Sequence, residues 1–329
     1  MQYRKLGGTD LEVSAVAMGC WAIVGDSTWG PQDEADSIAT IEAALDAGIN
    51  FFDTAELYGD GYSEEILGKV LPKHRDRVVI ASKFGSGRTS AGEVRQACEE
   101  SLRRLRTDVI DFYQIHWPST DLPFADAYEV LCSLRDEGKI RAIGVSNFGV
   151  QDLQAYLAVA RTEANQLAYN MLFRALEYEI KPACEQHEVG ILCYSPLAQG
   201  LLTGKFRSAD EVPEGRARTR LFSMDRPQAK HGEPGCEREV FQALDGIKSV
   251  CDRIGQPMAD VALAWLIHQK GVTSVLAGVR NVAQVQENAR GGSLHLADDV
   301  LAELTKATDP VKERLGRNPD MWMPNPRIR

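Results

Sequence analysis

Polar side chains that can move a proton or bind a small polar molecule recur at the ends of short apolar runs. Asp53 with Tyr58, Lys83, His116 and Asn147 stand in such places. A single Lys or His there is more often a solvated charge or a hydrogen-bonded structural residue. Several of them in one cleft could perform general acid–base chemistry, so the question is whether the fold brings them together.

Eight short runs rich in β-branched and aromatic residues predict strands: Ser14–Met18, Phe51–Asp53, Val78–Ser82, Val109–His116, Ala142–Ser146, Ala164–Leu167, Ile191–Tyr194 and Ser274–Ala277. Amphipathic helices are predicted between them, at Ser37–Ala47, Phe124–Asp136, Glu177–Gln186 and after a capping box of Ser90 and Glu93. This alternation predicts a parallel sheet that closes into a (β/α)8 TIM barrel. The carboxyl ends of the strands, where such barrels carry their chemistry, then share one face.

An open, doubly wound sheet is the alternative arrangement of alternating strands and helices. When it binds a dinucleotide, such a sheet carries Gly-x-Gly-x-x-Gly after its first strand. The chain has Met-Gly-Cys-Trp-Ala-Ile-Val-Gly from position 18 instead. The missing fingerprint counts against a Rossmann-type site and not against a cofactor bound by a barrel.

No shift in composition marks a second domain, so residues 1–329 are expected to form a single domain. The stretch Phe206–Glu237, rich in Pro, Gly and charge, predicts a long loop after the seventh strand, on the catalytic face. The tail Asp309–Arg329 is expected to pack irregularly across the barrel, with disorder as the alternative.

Composition limits the classes of binding partner and the cellular compartment that we expect. A formal net charge of −10 argues against nucleic acid or an anionic membrane as an obligatory partner. The seven cysteines contain no Cys-x-x-Cys pair and the six histidines show no zinc spacing, so we expect reduced thiols and no metal. The polar N-terminus and the lack of any run near the ~18 apolar residues of a membrane span predict a cytoplasmic protein. The oligomeric state stays open.

Five motifs in a fixed order carry a resemblance to a known family. They are Asp-Thr-Ala-Glu-Leu-Tyr-Gly, Ala-Ser-Lys-Phe-Gly, Tyr-Gln-Ile-His-Trp-Pro, Gly-Val-Ser-Asn-Phe and Cys-Tyr-Ser-Pro-Leu-Ala-Gln-Gly-Leu-Leu-Thr-Gly-Lys-Phe. From position 3 to about 296 the sequence resembles the aldo-keto reductase superfamily, near its bacterial reductases and potassium-channel beta subunits. The resemblance implies an oxidoreductase with a catalytic tetrad of Asp53, Tyr58, Lys83 and His116.

The tetrad suits the reduction of a carbonyl, which needs a hydride at carbon and a proton at oxygen. Tyr58 would donate the proton, although a phenol with a pKa of about 10 is poorly matched to neutral pH. Lys83 nearby would lower that pKa, and Asp53 would pair with Lys83. His116 would hydrogen-bond the carbonyl oxygen and hold the substrate in line.

The resemblance also implies an extended nicotinamide cofactor across the barrel mouth. Ser146, Asn147 and Gln166 would hydrogen-bond the carboxamide, and Tyr194 would stack on the nicotinamide ring. The pyrophosphate and adenosine would lie over Ser195, Leu197, Gln199, Gly200, Lys205, Arg218, Gly278, Arg280, Gln284, Glu287 and Asn288. The last five follow the eighth strand and open a helix, whose N-terminus beside a cation is a ready phosphate site.

The choice between NADPH and NADH depends on cations near the adenosine 2′ position. Arg218 matches an arginine of the seventh loop in related reductases, and Arg216 lies too close in sequence to be separated from it. The commoner Lys-Ser followed by Arg after the eighth strand is replaced here by Gly278-Val279 and by Gln284. NADPH is the predicted cofactor, with NADH as the alternative.

Two functions from different classes are compatible with these residues. The first is a reductase of aldehydes or ketones, acting in reverse on a sugar or polyol. Its pocket would be lined by Trp21, Trp29 and Trp117, although Trp21 and Trp29 could instead close the base of the barrel or a loop. The second is a regulatory module that binds the cofactor and senses redox state with little turnover. A metal-dependent hydrolase is disfavoured because the histidines lack metal-ligand spacing. Loop and tail shapes set the physiological substrate, so the sequence determines neither the substrate nor the direction of the reaction in the cell.

Overall fold

The computed structural model describes residues 1–323 and 328–329. The strands are β1 Tyr3–Lys5, β2 Glu12–Ser14, β3 Val16–Gly19, β4 Phe51–Asp53, β5 Val79–Phe84, β6 Ile110–Ile115, β7 Ile140–Ser146, β8 Ala164–Ala168, β9 Gly190–Tyr194 and β10 Val272–Gly278. The helices are α1 Glu34–Asp46, α2 Tyr62–Val70, α3 Ala91–Leu105, α4 Phe124–Asp136, α5 Val150–Leu157, α6 Ile180–Gln186, α7 Glu237–Ile254, α8 Met258–Ile267, α9 Val282–Gly291 and α10 Asp298–Leu315. Short 3-10 segments lie at Ala22–Val24, Leu71–Arg77, Ala175–Glu177, Ala198–Thr203 and Ala209–Glu211.

Strands β3 to β10 form a closed parallel barrel in which neighbours along the chain are neighbours in the sheet, and β10 pairs with β3. An inner cluster that includes Ala17, Phe51, Phe112 and Leu276 fills the barrel, and a larger cluster lies between the strands and the helices. The predicted (β/α)8 TIM barrel, a single domain, is confirmed. Over the described residues, no helix is both long and apolar enough to cross a membrane.

The antiparallel hairpin of β1 and β2 closes the end of the barrel at which the strands begin. Arg4 donates to the backbone oxygen of Val272 at 2.6 Å, and the Asn50 side chain accepts from the Ser14 N–H at 2.7 Å. The opposite end, where the strands finish, is therefore left open for a ligand.

Three predicted elements differ clearly from the structure, while the bounds of the other predicted strands shift by at most two residues. The strand predicted at Ser14–Met18 is divided, because Ser14 ends the hairpin and the barrel strand begins at Val16. The helix predicted at Glu177–Gln186 begins only at Ile180, after a separate 3-10 turn. The helix predicted from Ser37 begins one turn earlier, at Glu34, because the Asp33 carboxylate caps the backbone N–H of Ala35.

The predicted irregular tail begins later than position 309. Helix α10 continues through Pro310 to Leu315, because Val311 and Leu315 extend its buried face. Beyond it, Met321 is fully buried and Arg329 donates its N–H to Asp152 at 2.7 Å. Residues 324–327 of the predicted tail lie outside the described residues.

The long loop predicted after the seventh barrel strand, β9, is present and runs to the start of α7 at Glu237. Two helices, α7 and α8, then precede β10, where the strand–helix alternation predicted one.

Candidate active site

A cleft of about 1130 Å³ lies at the carboxyl ends of the barrel strands. Every predicted catalytic, cofactor and pocket residue except Lys83 lines it. Lys83 lies beneath the cleft floor and is fully buried. Residues far apart in the sequence therefore converge because parallel strands all end at the same face.

Three of the predicted catalytic side chains lie on the floor of this cleft, and the fourth, Lys83, contacts Asp53 and Tyr58 from beneath it. Asp53 ends β4, Lys83 lies in β5, His116 follows β6, and Tyr58 lies in the turn after β4. The Lys83 ammonium donates to Asp53 Oδ1 at 2.6 Å, to the Thr54 backbone oxygen at 2.8 Å and to Tyr58 Oη at 3.4 Å. The rings of Tyr58 and His116 are edge-on, with centroids 5.8 Å apart. A phenol, an ammonium, a carboxylate and an imidazole thus share one site.

Burial and the nearby positive charge act in opposite directions on the pKa of the Tyr58 phenol. Burial is the larger effect and raises the pKa of Tyr58, while the Lys83 ammonium opposes it. Lys83 therefore lowers the pKa of Tyr58 as expected, but the net shift is upward, because removing the phenolate from water costs more than one nearby cation returns. For Lys83, burial lowers the pKa but Asp53 and Tyr58 together outweigh it, so the net shift is upward.

His116 is neutral in this setting. Burial, together with the positive charge of Lys83, lowers the pKa of His116 to about 3. Its Nδ1 is buried and has no protein partner. The ring therefore carries one N–H at neutral pH and can act as an uncharged hydrogen-bond donor.

Gln114 is a buried polar residue of the site that the sequence reasoning did not select. Its amide donates to Asp53 Oδ2 at 3.3 Å and accepts from Gln166 Nε2 at 3.3 Å. Gln166 Nε2 also donates to Asp53 Oδ2 at 2.8 Å. Gly144 on the next strand leaves room for it, since a Cβ there would lie 2.8 Å from the Gln114 Cγ. The available signal was a polar residue near the carboxyl end of β6, two positions before His116.

The residues predicted to bind the nicotinamide carboxamide are hydrogen-bonded to one another. Ser146 donates to the Gln166 backbone oxygen at 3.0 Å, and Tyr194 donates to Asn147 Oδ1 at 2.8 Å. The Asn147 amide nitrogen donates to the His116 backbone oxygen at 3.0 Å. Asn147 has φ 62° and Ser195 φ 52°, a left-handed conformation that costs energy for a residue with a side chain. Strain of this kind is concentrated at binding sites.

At the far end of the cleft, Arg280 holds the loop between β3 and α1. Its guanidinium donates to the backbone oxygens of Trp29 and Pro31 and to Gln32 Oε1. Its backbone N–H is capped by the Gln284 side chain at 2.8 Å. The predicted phosphate-binding cation is thus also a structural link between two loops.

Polar atoms without a protein partner surround the same end of the cleft. Both amide atoms of Gln199 and the Nε atoms of Arg216 and Arg218 are buried and unpaired. Arg216 stacks on Trp29 at 5.6 Å, and Arg218 stacks on Trp322 at 5.0 Å. Two cations with unsatisfied donors fit a ligand that carries phosphate groups.

The predicted aromatic pocket lies at the open end of the barrel. Trp21 stacks on Tyr58 with ring centroids 6.0 Å apart, and Trp29 meets Trp21 edge-on at 5.5 Å. The alternative that Trp21 and Trp29 close the barrel base is therefore wrong. Trp322 of the tail joins Trp117 in lining the cleft. No group of three or more potential metal ligands occurs among residues 1–323 and 328–329.

Curated proteins similar to this chain include bacterial reductases. The chain is 35% identical over 297 residues to the aldo-keto reductase YhdN of Bacillus subtilis (strain 168), covering 87% of each chain. It is 34% identical over 321 residues to the NADH-specific methylglyoxal reductase of Escherichia coli (strain K12), covering 91% of this chain and 95% of that one. It is also 30% identical over 322 residues to a probable voltage-gated potassium channel subunit beta of Arabidopsis thaliana, covering 93% of each.

Solved structures match over almost the whole chain. The glycerol dehydrogenase of Gluconobacter oxydans superposes with a TM-score of 0.80 at 32% identity, covering 97% of both chains. An aldo-keto reductase of Klebsiella pneumoniae, solved in complex with NADPH, superposes with a TM-score of 0.75 at 31% identity, covering 98% of this chain and 100% of that one.

The family model described as the aldo/keto reductase family matches residues 15–309, a span that holds the eight barrel strands and the tetrad. The predicted resemblance is confirmed: this chain belongs to the aldo/keto reductase family, and it is an oxidoreductase of that family.

Proposed function

We propose that the protein is an NADP(H)-dependent reductase of aldehydes or ketones, acting in reverse on alcohols such as sugars or polyols. The observation that carries the proposal is the Lys83 ammonium, held between Asp53 at 2.6 Å and Tyr58 at 3.4 Å below an open cleft. Relatives named as a methylglyoxal reductase and a glycerol dehydrogenase support a small carbonyl or polyol as substrate.

The residues present fit a nicotinamide dinucleotide. The unpaired donors of Arg216 and Arg218 would hold the 2′-phosphate of NADPH, and Gln199 would lie against the pyrophosphate and adenosine. Gln166, Ser146 and Asn147 would hold the carboxamide. Tyr194 and the strained backbone at Ser195 and Gln199 would shape the groove between the phosphate and carboxamide sites. The other predicted contacts line the walls of this groove: Leu197, Gly200, Lys205, Gly278, Arg280, Gln284, Glu287 and Asn288. When bound, the nicotinamide supplies a hydride to the carbonyl carbon.

The chain's own residues manage the proton. Tyr58 holds a proton on Oη at neutral pH, because a phenol is protonated there and burial raises its pKa further, and it delivers that proton to the carbonyl oxygen. The Lys83 ammonium stabilises the phenolate left behind, and Asp53 keeps Lys83 charged and oriented. His116, neutral and carrying one N–H, donates to the same carbonyl oxygen and orients it. Trp21, Trp29 and Trp117 line the space beside Tyr58 and limit the access of water.

Tyr58→Phe tests the acid role, because it removes the hydroxyl and keeps the ring. We expect kcat for carbonyl reduction to fall by about 10² to 10⁴, with the Kd for NADPH changed less than twofold. Tyr178→Phe, which removes a hydroxyl bonded to the Lys312 backbone oxygen outside the cleft, is the matched control. Unchanged turnover in Tyr58→Phe would remove Tyr58 from the acid role.

A redox-sensing module is the second candidate, favoured by the similarity to the potassium channel subunit beta. Steady-state oxidation of NADPH with a panel of aldehydes and ketones separates the two. A reductase turns over many times, whereas a sensor consumes no more than about one cofactor per site.

We also propose a cytoplasmic location. All seven cysteines, which lie within the described residues, are unpaired, and six of them are buried. Free thiols of this number are typical of a reducing compartment. Fractionation of the native cells tests this directly.

A further inference from the structure

The loop between β3 and α1 contains a tight turn, Asp26–Gly30, that forms one wall of the cleft. Asp26 Oδ1 accepts the backbone N–H groups of Thr28 at 2.8 Å and Trp29 at 2.9 Å. The Gly30 N–H closes the turn on the Asp26 backbone oxygen at 2.7 Å. Gly30 has φ 80°, a conformation that favours glycine. One oxygen of Asp26 therefore organises the backbone that presents Trp29.

The other oxygen of the same carboxylate holds a second indole. Asp26 Oδ2 accepts from Trp21 Nε1 at 2.9 Å. The Trp21 ring lies nearly parallel to the Tyr58 ring, at an interplanar angle of 20°, and almost perpendicular to the Trp29 ring, at 86°. A single carboxylate thus sets the position of both indoles next to the proposed proton donor.

The consequence for binding is one of pre-organisation. A tryptophan side chain presents a large, flat contact surface, and ordering it on binding costs conformational entropy. Because Asp26 already orders Trp21 and Trp29, a flat apolar group that packs against them does not bear that cost. A substrate too small to reach the indoles gains no affinity from this pre-organisation.

We propose that Asp26 is a positioning residue that determines substrate specificity, by holding Trp21 and Trp29 as a rigid aromatic wall beside Tyr58. The wall favours carbonyl compounds with an aromatic or bulky apolar group next to the C=O over short-chain ones. This inference rests on the proposed carbonyl reduction and adds to it the class of substrate.

Asp26→Asn separates the two oxygens of the carboxylate. The amide keeps one acceptor, which stays with the two backbone N–H groups of the turn, since Asn supports such turns as Asp does. Its NH₂ then faces the Trp21 N–H, so the hydrogen bond to the indole is lost. Trp21→Phe removes the indole N–H while keeping a flat ring, and the double variant completes the cycle. Ser27→Ala is the matched control, because Ser27 is exposed in the same turn.

The kinetic probes are benzaldehyde and acetaldehyde at saturating NADPH. We expect Asp26→Asn to raise KM for benzaldehyde about threefold to tenfold, the size of one lost hydrogen bond, with kcat within twofold. The acetaldehyde kinetics of Asp26→Asn should match those of the wild type. Ser27→Ala should match the wild type with both aldehydes. The KM of the double variant for benzaldehyde should be no higher than that of the single variant with the higher KM. An equal rise in KM for both aldehydes, no rise for benzaldehyde, or additive effects in the double variant would overturn the proposal.

A second measurement needs no turnover. Near-ultraviolet circular dichroism of the wild type minus that of Trp21→Phe isolates the Trp21 signal, and Asp26→Asn should lose most of it. If the wild type reduces neither aldehyde, the proposed function fails, while this signal still decides whether Asp26 orders Trp21. A spectrum of Asp26→Asn identical to the wild type would show that it does not.

Discussion

At the scale of single residues, the site brings together three titratable side chains, and each is kept in its protonation state by a different balance of burial and charge. Lys83 stays charged because Asp53 compensates for its burial, Tyr58 stays protonated because burial outweighs Lys83, and His116 stays neutral because both burial and Lys83 oppose its protonation. In the proposed mechanism, a protonated phenol beside a neutral imidazole is ready for reduction. The reverse reaction would first have to remove the proton from Tyr58.

The two directions should therefore differ in their dependence on pH. We expect kcat for reduction at saturating cofactor to stay flat from about pH 5 to 9, because burial raises the pKa of Tyr58 above its usual alkaline value and lowers the pKa of His116 to about 3. Alcohol oxidation needs the phenolate and should rise steadily with pH throughout the alkaline range. Measuring both rates in one mixed buffer checks this. A reduction rate with a midpoint near 6.5 would show that His116 titrates there and contradict the prediction.

At the scale of secondary structure, local signals decide where helices begin. The predicted capping box is confirmed at α3, where Ser90 accepts from the Glu93 N–H and Glu93 accepts from the Ser90 N–H. The start of α1 was missed by one turn because its cap, Asp33, precedes the apolar periodicity. A cap acts through one hydrogen bond with the adjacent turn, so its effect is local and transferable.

Ser90→Ala should lower the free energy of unfolding by about 1 kcal/mol, because the first turn of α3 loses its acceptor. Turnover should stay at the wild-type value, since Ser90 does not line the cleft. Urea unfolding followed by circular dichroism measures the change. Ser86→Ala, an exposed serine in the preceding loop, should stay within about 0.5 kcal/mol of the wild type. Equal losses in both variants would speak against the cap.

At the scale of the whole molecule, the cleft is completed by segments from three distant parts of the chain. The loop after β9 contacts the loop between β3 and α1, where Arg216 stacks on Trp29. It also contacts the tail, where Arg218 stacks on Trp322. Arg220 of the same loop is buried and donates to the backbone oxygens of Leu315 and Asn318. The loop and the tail therefore form one wall of the cleft, and a substitution in either should change the affinity for a ligand bound there.

We propose that the cofactor preference depends on this wall. We expect Arg218→Ala to lower kcat/KM for NADPH at least tenfold, the size of a lost charge-assisted hydrogen bond to a phosphate, and to leave NADH within twofold. Arg216→Ala, measured in parallel, shows which arginine discriminates, and Arg218→Lys retains the charge as a control. Equal efficiency of the wild type with NADPH and NADH would contradict the predicted preference, and the NADH-specific relative makes the comparison informative.

The ordered motifs and the alternation of strands and helices were enough to predict the barrel and to place Asp53, Tyr58, Lys83 and His116 at one face. Both follow from the chain alone, because hydrophobic periodicity sets the elements and parallel strands must end together. Gln114 escaped notice because its partners, Asp53 and Gln166, lie 61 and 52 residues away and become neighbours only when the barrel closes.

The amino-acid sequence by itself determined the family and the fold, and it identified the groups that we propose move a proton. Only the tertiary structure decided their protonation states, the sharing of Asp26 between two tryptophans, and the stacking of the arginines on Trp29 and Trp322. The physical reason is that a pKa and a packing partner depend on burial and on distances across the cleft, and these are properties of the closed barrel and not of any local segment.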